Sequence, residues 1–104
     1  MKPVLSIVMP ALNEAAGIVA TLQALQPLRA RGVELVLADG GSSDTTAAQA
    51  RPWVDAVVDA PRGRALQMNA GAAQARADVL LFLHADTRLP PLADVLVLQA
   101  VNGP

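Results

Sequence analysis

Two kinds of apolar pattern alternate along this chain. Leu5 to Met9, Val33 to Ala38, Val54 to Val58 and Val79 to Leu83 are short, nearly continuous apolar runs bounded by turn residues. Such runs predict strands of a parallel sheet covered by helices. Between them apolar residues recur at helical spacing. Ile18, Leu22 and Leu25 form the first set, with Asn13 as the expected cap and Pro27 as the end. A second helix is expected from Ser43 or Asp44 through Ala50, before Pro52. Ala65, Met68, Ala72 and Ala75 share one face of a third, which places Met68 and the alanines in the core. Leu92 to Val101 predicts a last short helix after the Leu89-Pro90-Pro91 turn. The order β-α-β-α-β-α-β-α argues for an α/β fold with a parallel sheet and right-handed crossovers. Within it, Val79 to Leu83 reads as a strand buried on both faces.

Composition narrows the picture. At 104 residues the chain is one small domain at most. Hydrophobic residues are 53% but aromatics only 2%, so Ala, Leu and Val must do the packing. A net charge of -1 gives no electrostatic footprint for nucleic acid or an anionic membrane. There is no 20-residue apolar span, which argues against a transmembrane segment. Lys2 and the run Val4 to Met9 have the outline of a short signal peptide, but Pro10 and Asn13-Glu14 interrupt it, so it reads as the first strand. The absence of cysteine excludes disulfides and thiolate metal sites and agrees with an expected cytoplasmic location.

The chemistry gathers at the strand ends. The run Val79 to Leu83 stops at His84, the only histidine, followed by Asp86. Strand one leads to Pro10, Asn13 and Glu14, strand two to Asp39, and the loop after strand three to Arg62 and Arg64. In a doubly wound sheet these groups converge on the carboxyl edge, where ligands bind. The usual phosphate-cradling devices are missing: the first glycine after strand one is Gly17, and no G-x-x-x-x-G-K-[ST] occurs. What remains is a carboxylate for a base or sugar, guanidiniums for phosphate oxygens, and an Asp/His pair for a divalent cation. That set suits a nucleoside diphosphate attached to something. Each residue also has a bland reading. Asp39 can be a turn former, His84 a satisfied strand-end histidine and Arg62 a solvated charge. Glu14 can serve a helix amino terminus, and Asn69 can hold the third helix against a loop.

Four motifs in order resemble the amino-terminal half of a family 2 glycosyltransferase, the inverting type with the GT-A nucleotide-sugar fold. Pro10-Ala11-Leu12-Asn13-Glu14 matches P-x-x-N-E. Asp39-Gly40-Gly41-Ser42-Ser43-Asp44 matches D-D-G-S-S-x-D in part, Gly63 through Asn69 and Gly71 match a G-x-x-x-A/x-x-N-x-G segment, and His84-Ala85-Asp86 falls at D-x-D. Gly63 to Gly71 with Leu83 to Pro90 is similar, more narrowly, to bacterial arsenosugar-biosynthesis glycosyltransferases. The resemblance implies a truncated GT-A sheet of order 3-2-1-4 and a donor-binding set of Pro10, Ala11, Glu14, Asp39, Arg64, Asn69, His84 and Asp86. It places Asp39 on the nucleobase, expected to be uracil, and Pro10, Ala11 and Glu14 around the nucleoside. Arg64 falls near base or phosphate. Asp86 and His84 are the implied metal ligands, Mn²⁺ or Mg²⁺ the cofactor, and a UDP-sugar the donor.

Two departures stand out. Gly40 replaces the pattern's second aspartate, and His84 replaces the first aspartate of D-x-D, lowering the negative charge offered to a hard cation. The family's general base and acceptor pocket lie in the second half of its domain. Residues 1–104 therefore read as the nucleotide-sugar-binding half, with no catalytic residue of their own and no expected turnover alone; Asp94 is a poor candidate. The acceptor stays open. A far edge of strand four without a partner predicts a homo-oligomer. Two alternatives remain: a sugar-phosphate nucleotidyltransferase-like domain, against which the sequence after strand one lacks a glycine-rich basic loop, and a non-catalytic fragment that self-associates.

Overall fold

The computed structural model describes residues 2–103. Four parallel strands, β1 (Leu5–Ala11), β2 (Val33–Asp39), β3 (Ala56–Asp59) and β4 (Leu80–Phe82), form one sheet in the order β3-β2-β1-β4. Helices α1 (Ile18–Ala24), α2 (Gln26–Ala30), α3 (Thr46–Ala50), α4 (Arg64–Gln74) and α5 (Ala93–Asn102) connect and follow them, with one 3-10 turn at Arg51–Trp53. The sheet order and the alternation agree with the sequence.

The central strands divide their side chains between two layers. Leu5, Ile7, Met9 and Ala11 of β1 join Val33, Leu35 and Leu37 of β2 in a buried cluster with Ile18 and Leu22 of α1, Leu28 of α2 and Leu25 between the two helices. The alternate positions carry α4. A Cβ at Gly71 would stand 2.4 Å from Val8 Cγ1 and 3.4 Å from Ala38 Cβ, so the helix backbone lies almost on the sheet. At the amino edge Ser6 and Glu34, paired in register, are buried, and the exposed Arg76 and its neighbour Ala77 bond to them. Glu34 accepts from the Ser6 hydroxyl at 2.7 Å and from Arg76 Nε at 2.8 Å, while Ala77 N donates to Ser6 Oγ at 3.1 Å.

Several expectations are corrected. β4 spans three residues, not Val79 to Leu83, and at the sheet edge, where the expected order 3-2-1-4 puts it, Leu80 and Leu81 are half-buried and Phe82 is 45% exposed. Its apolar run is not covered on both faces. Asn13 is not a helix cap; it adopts φ 54°, in the left-handed region that Asn tolerates, and α1 begins five residues later. The first helix ends at Ala24, and Pro27 instead sits in the first turn of α2, where its missing N–H costs nothing. α3 starts at Thr46, yet Asp44 still serves its first turn by accepting from Thr46 N at 2.9 Å. β3 starts at Ala56 because Asp55 Oδ2 itself takes the Leu35 N–H at 2.7 Å. On α4 the buried residues are Gln67 and Gly71, whereas Met68, Ala72 and Ala75 are half-buried and Ala65 is exposed.

Candidate functional site

The carboxyl ends of β1 and β2 are laced together by their loops. Asn13 N donates to Ser42 Oγ at 2.9 Å, Ser43 N to Asn13 Oδ1 at 2.9 Å, and Glu14 N to Thr46 Oγ1 at 2.8 Å. The left-handed turn at Asn13 makes this exchange possible, and it sets Glu14 beside β2's loop. Asp44 receives Ala15 N at 3.2 Å and the Thr46 hydroxyl. The hydroxyl's hydrogen bond holds the Asp44 carboxyl below the usual carboxylate range.

Asp39, opposite Ala11 in register, is 6% exposed. Its Oδ1 accepts from Ser42 Oγ, and Oδ2 accepts from Ser42 N at 3.0 Å and Gly41 N at 3.3 Å. Three of about four lone-pair sites are thus used within its own loop. Gly41, at φ 85°, supplies the backbone conformation this tight return requires.

α4 closes the other side. Gly63, at φ 138°, precedes the helix, and Arg64 is its first residue. Gln67 is 4% exposed, and its carboxamide makes three hydrogen bonds: Nε2 donates to the carbonyls of Ala11 at 2.9 Å and Ala38 at 3.0 Å, and Oε1 accepts from Gly63 N at 3.2 Å. On the β4 side, Leu83 N continues the ladder to Val8 O at 3.0 Å, and the chain then turns, with Thr87 N donating to His84 O at 3.0 Å. The buried Thr21 hydroxyl of α1 donates to Ala85 O at 2.6 Å and accepts from Arg88 Nη1 at 2.7 Å. This bond fixes the backbone at Ala85, between His84 and Asp86, both of which are exposed.

A cleft of about 200 Å³ results, lined by Pro10, Ala11, Leu12, Glu14, Arg64, Gln67 and His84. The structure therefore brings together five of the residues singled out in the sequence. Asp39 is buried at the end of β2 and is not among the residues lining the cleft, and Asp86 is exposed two residues beyond His84. Asn69 and Arg62 are exposed and line no part of it. Gln67, Thr21 and Arg88 are not among the candidate residues that the sequence offers. The only signal for Gln67 was a polar residue one turn before Gly71, at i and i+4. No group of three or more His, Cys, Asp or Glu side chains among the described residues could hold a metal ion. His84 and Asp86 can thus serve only as co-ligands, alongside oxygens supplied by a bound phosphate or water. No helix among the described residues is long and apolar enough to cross a membrane.

Comparison with known proteins adds the following. Residues 6–101 match the family model described as Glycosyl transferase family 2. No curated protein sequence matches. Among solved structures, glucosyl-3-phosphoglycerate synthase from Mycobacterium tuberculosis, in complex with Mn²⁺, UDP and glucosyl-3-phosphoglycerate, superimposes with TM-score 0.81 at 28% identity. That match covers 98% of this chain and 40% of the synthase. A mannosyltransferase from Pyrobaculum calidifontis, in complex with GDP-Man and Mn²⁺, gives TM-score 0.79 at 24% identity, covering 96% of this chain and 33% of the other. TarS from S. aureus gives 0.76 at 22%, over 97% and 33%. This chain spans well under half the length of each.

Proposed function

Because the chain belongs to glycosyl transferase family 2 and has the GT-A nucleotide-sugar transferase fold, we propose that it carries the donor site of an inverting glycosyltransferase using a UDP-sugar. The observation that carries this reading is the cleft at the carboxyl edge, where the β1 loop faces Arg64 and His84. About 200 Å³ is less than the roughly 300–1,000 Å³ of ordinary small-molecule sites, which suits the nucleoside part of a donor. The exposed Arg64, His84 and Asp86 are then left for the diphosphate.

In this proposal Pro10, Ala11 and Glu14 line the nucleoside, and Asp39 offers its remaining lone pair to the base. Arg64 donates charge-assisted hydrogen bonds to phosphate oxygens. Asn69, exposed on α4, would join the donor only from outside the cleft. His84 and Asp86 are the residues that would hold Mn²⁺ or Mg²⁺. When bound, such a cation stabilises the charge on a departing nucleoside diphosphate. Residues 1–104 form the nucleotide-sugar-binding half, and the general base and acceptor pocket lie outside it. The wording of Gly63 to Gly71 and Leu83 to Pro90 supports the narrower assignment to arsenosugar-biosynthesis enzymes. A chain without cysteine suits a reducing cytoplasm. The unpaired edge of β4, with Phe82 exposed, supports association of copies along that edge.

The test is calorimetric titration of the chain with UDP, with and without Mn²⁺, repeated on Asp86→Ala. Binding that depends on Mn²⁺ and loses that dependence in Asp86→Ala is the expected result. No heat at millimolar UDP would contradict the proposal and leave a folded, inert fragment as the better description.

A further inference from the structure

Gly40 and Gln67 touch at the point where the sequence departs from the D-D-G-S-S-x-D pattern. A Cβ built on Gly40 would stand 2.7 Å from Gln67 Cδ and Oε1, and 2.9 Å from Nε2. A flexible side chain normally yields to such an intrusion. Gln67 cannot yield without cost, because its amide is held by the carbonyls of Ala11 and Ala38 and by Gly63 N. Below it, the contact of Gly71 with Val8 fixes the height of α4 over the sheet. The chemistry of the side chain also matters. Two carbonyls need donors and one N–H needs an acceptor, and a primary carboxamide supplies both. A glutamate of the same shape would turn a carboxylate toward two carbonyl oxygens.

We infer that Gly40 and Gln67 form a coupled pair in which Gln67 is a positioning residue of the cleft. The carboxamide occupies the space that any side chain at position 40 would need. It also ties the ends of β1 and β2 to the start of α4, from which Arg64 reaches the cleft. This rests on the proposed donor site for its ligand, but the coupling itself is a property of the apo fold.

A double-mutant cycle tests it. Gly40→Ala, Gln67→Ala and the double variant of the full chain are each measured for Tm and, well below each Tm, for UDP affinity in Mn²⁺. Gly40→Ala should weaken UDP binding about tenfold, because it displaces the amide and leaves buried polar groups unpaired. Gln67→Ala should weaken it comparably. The double variant should be no worse than Gln67→Ala alone, since the added methyl then has room. If Gly40→Ala does not fold, a folded double variant still supports the coupling, and an unfolded double variant overturns it. Additive losses overturn the coupling. Non-additive Tm values with unchanged UDP affinity overturn the positioning role. A parent chain that binds no UDP overturns the donor reading and the positioning role with it, while the Tm cycle still decides the coupling.

Discussion

Gly71 and Gln67 lie one helical turn apart on α4 and decide how close that helix sits to the sheet. With Val8 Cγ1 only 2.4 Å from the site of an added Cβ, Gly71→Ala should destabilise the chain by about 1–3 kcal/mol through overpacking. Urea unfolding checks this; an unchanged midpoint would mean that α4 can lift at no cost. Thr21→Val should cost about 1–3 kcal/mol by stranding the buried Ala85 carbonyl. It should also weaken Mn²⁺-dependent UDP binding by loosening the His84–Asp86 turn, with Thr21→Ser restoring both. Calorimetry and unfolding measured on the same samples separate the two effects. The site residues at strand ends were legible in the sequence because polar groups ending apolar runs are conspicuous. Gln67 and Thr21 were not, because a glutamine or threonine on a helix looks the same whether it meets water or a buried carbonyl.

Among elements, β1 and β2 could be read directly, since both faces are covered and the apolar run is nearly continuous. Val79 to Leu83 carries the same apolar signal, but at the edge, where the expected order puts it, the run is covered only in part; an apolar run alone does not report sheet position. The second short helix before β2, where Pro27 is expected to end the first, reflects a residue whose effect depends on whether it enters a helix or interrupts one. α5 is fastened by Arg31, which donates to both oxygens of the buried Asp94 at 2.9 and 2.7 Å and to Pro91 O at 2.8 Å. These bonds hold the Asp94 carboxyl below its usual range. Burial pushes Glu34 up, but the N–H and guanidinium of Arg76 and the Ser6 hydroxyl outweigh it, leaving Glu34 lowered as well. A lowered folded pKa contributes stability that is present above the unfolded carboxylate value, about 4, and lost as pH falls through the folded one. Tm should therefore drop on acidification below about pH 4. Arg31→Ala should lower Tm at neutral pH and make the acid limb shallower; a parallel shift at every pH would show that the pair contributes nothing through ionisation.

At the scale of the whole molecule, the two ends of the sheet differ in kind. The amino edge has its own groove of about 420 Å³, bordered by Lys2, Arg29, Arg31 and Arg76. Each of these cations is already paired with a carboxylate: Asp78, Asp55, Asp94 and Glu34 respectively. The carboxyl edge instead presents Arg64, His84 and Asp86 to solvent. Self-association along β4 is expected to appear as a dimer or larger species in light scattering at tens of micromolar, and Phe82→Lys should shift it toward monomer. A monodisperse monomer of the unaltered chain would contradict that expectation. Binding of a nucleoside diphosphate at the carboxyl edge is checked by amide chemical-shift mapping with UDP, using Mg²⁺ as the diamagnetic cation. Shifts confined to residues 11–14, 39–42, 63–67 and 83–86 are the expected result. Shifts at the amino-edge groove, or none at saturating UDP, would contradict it.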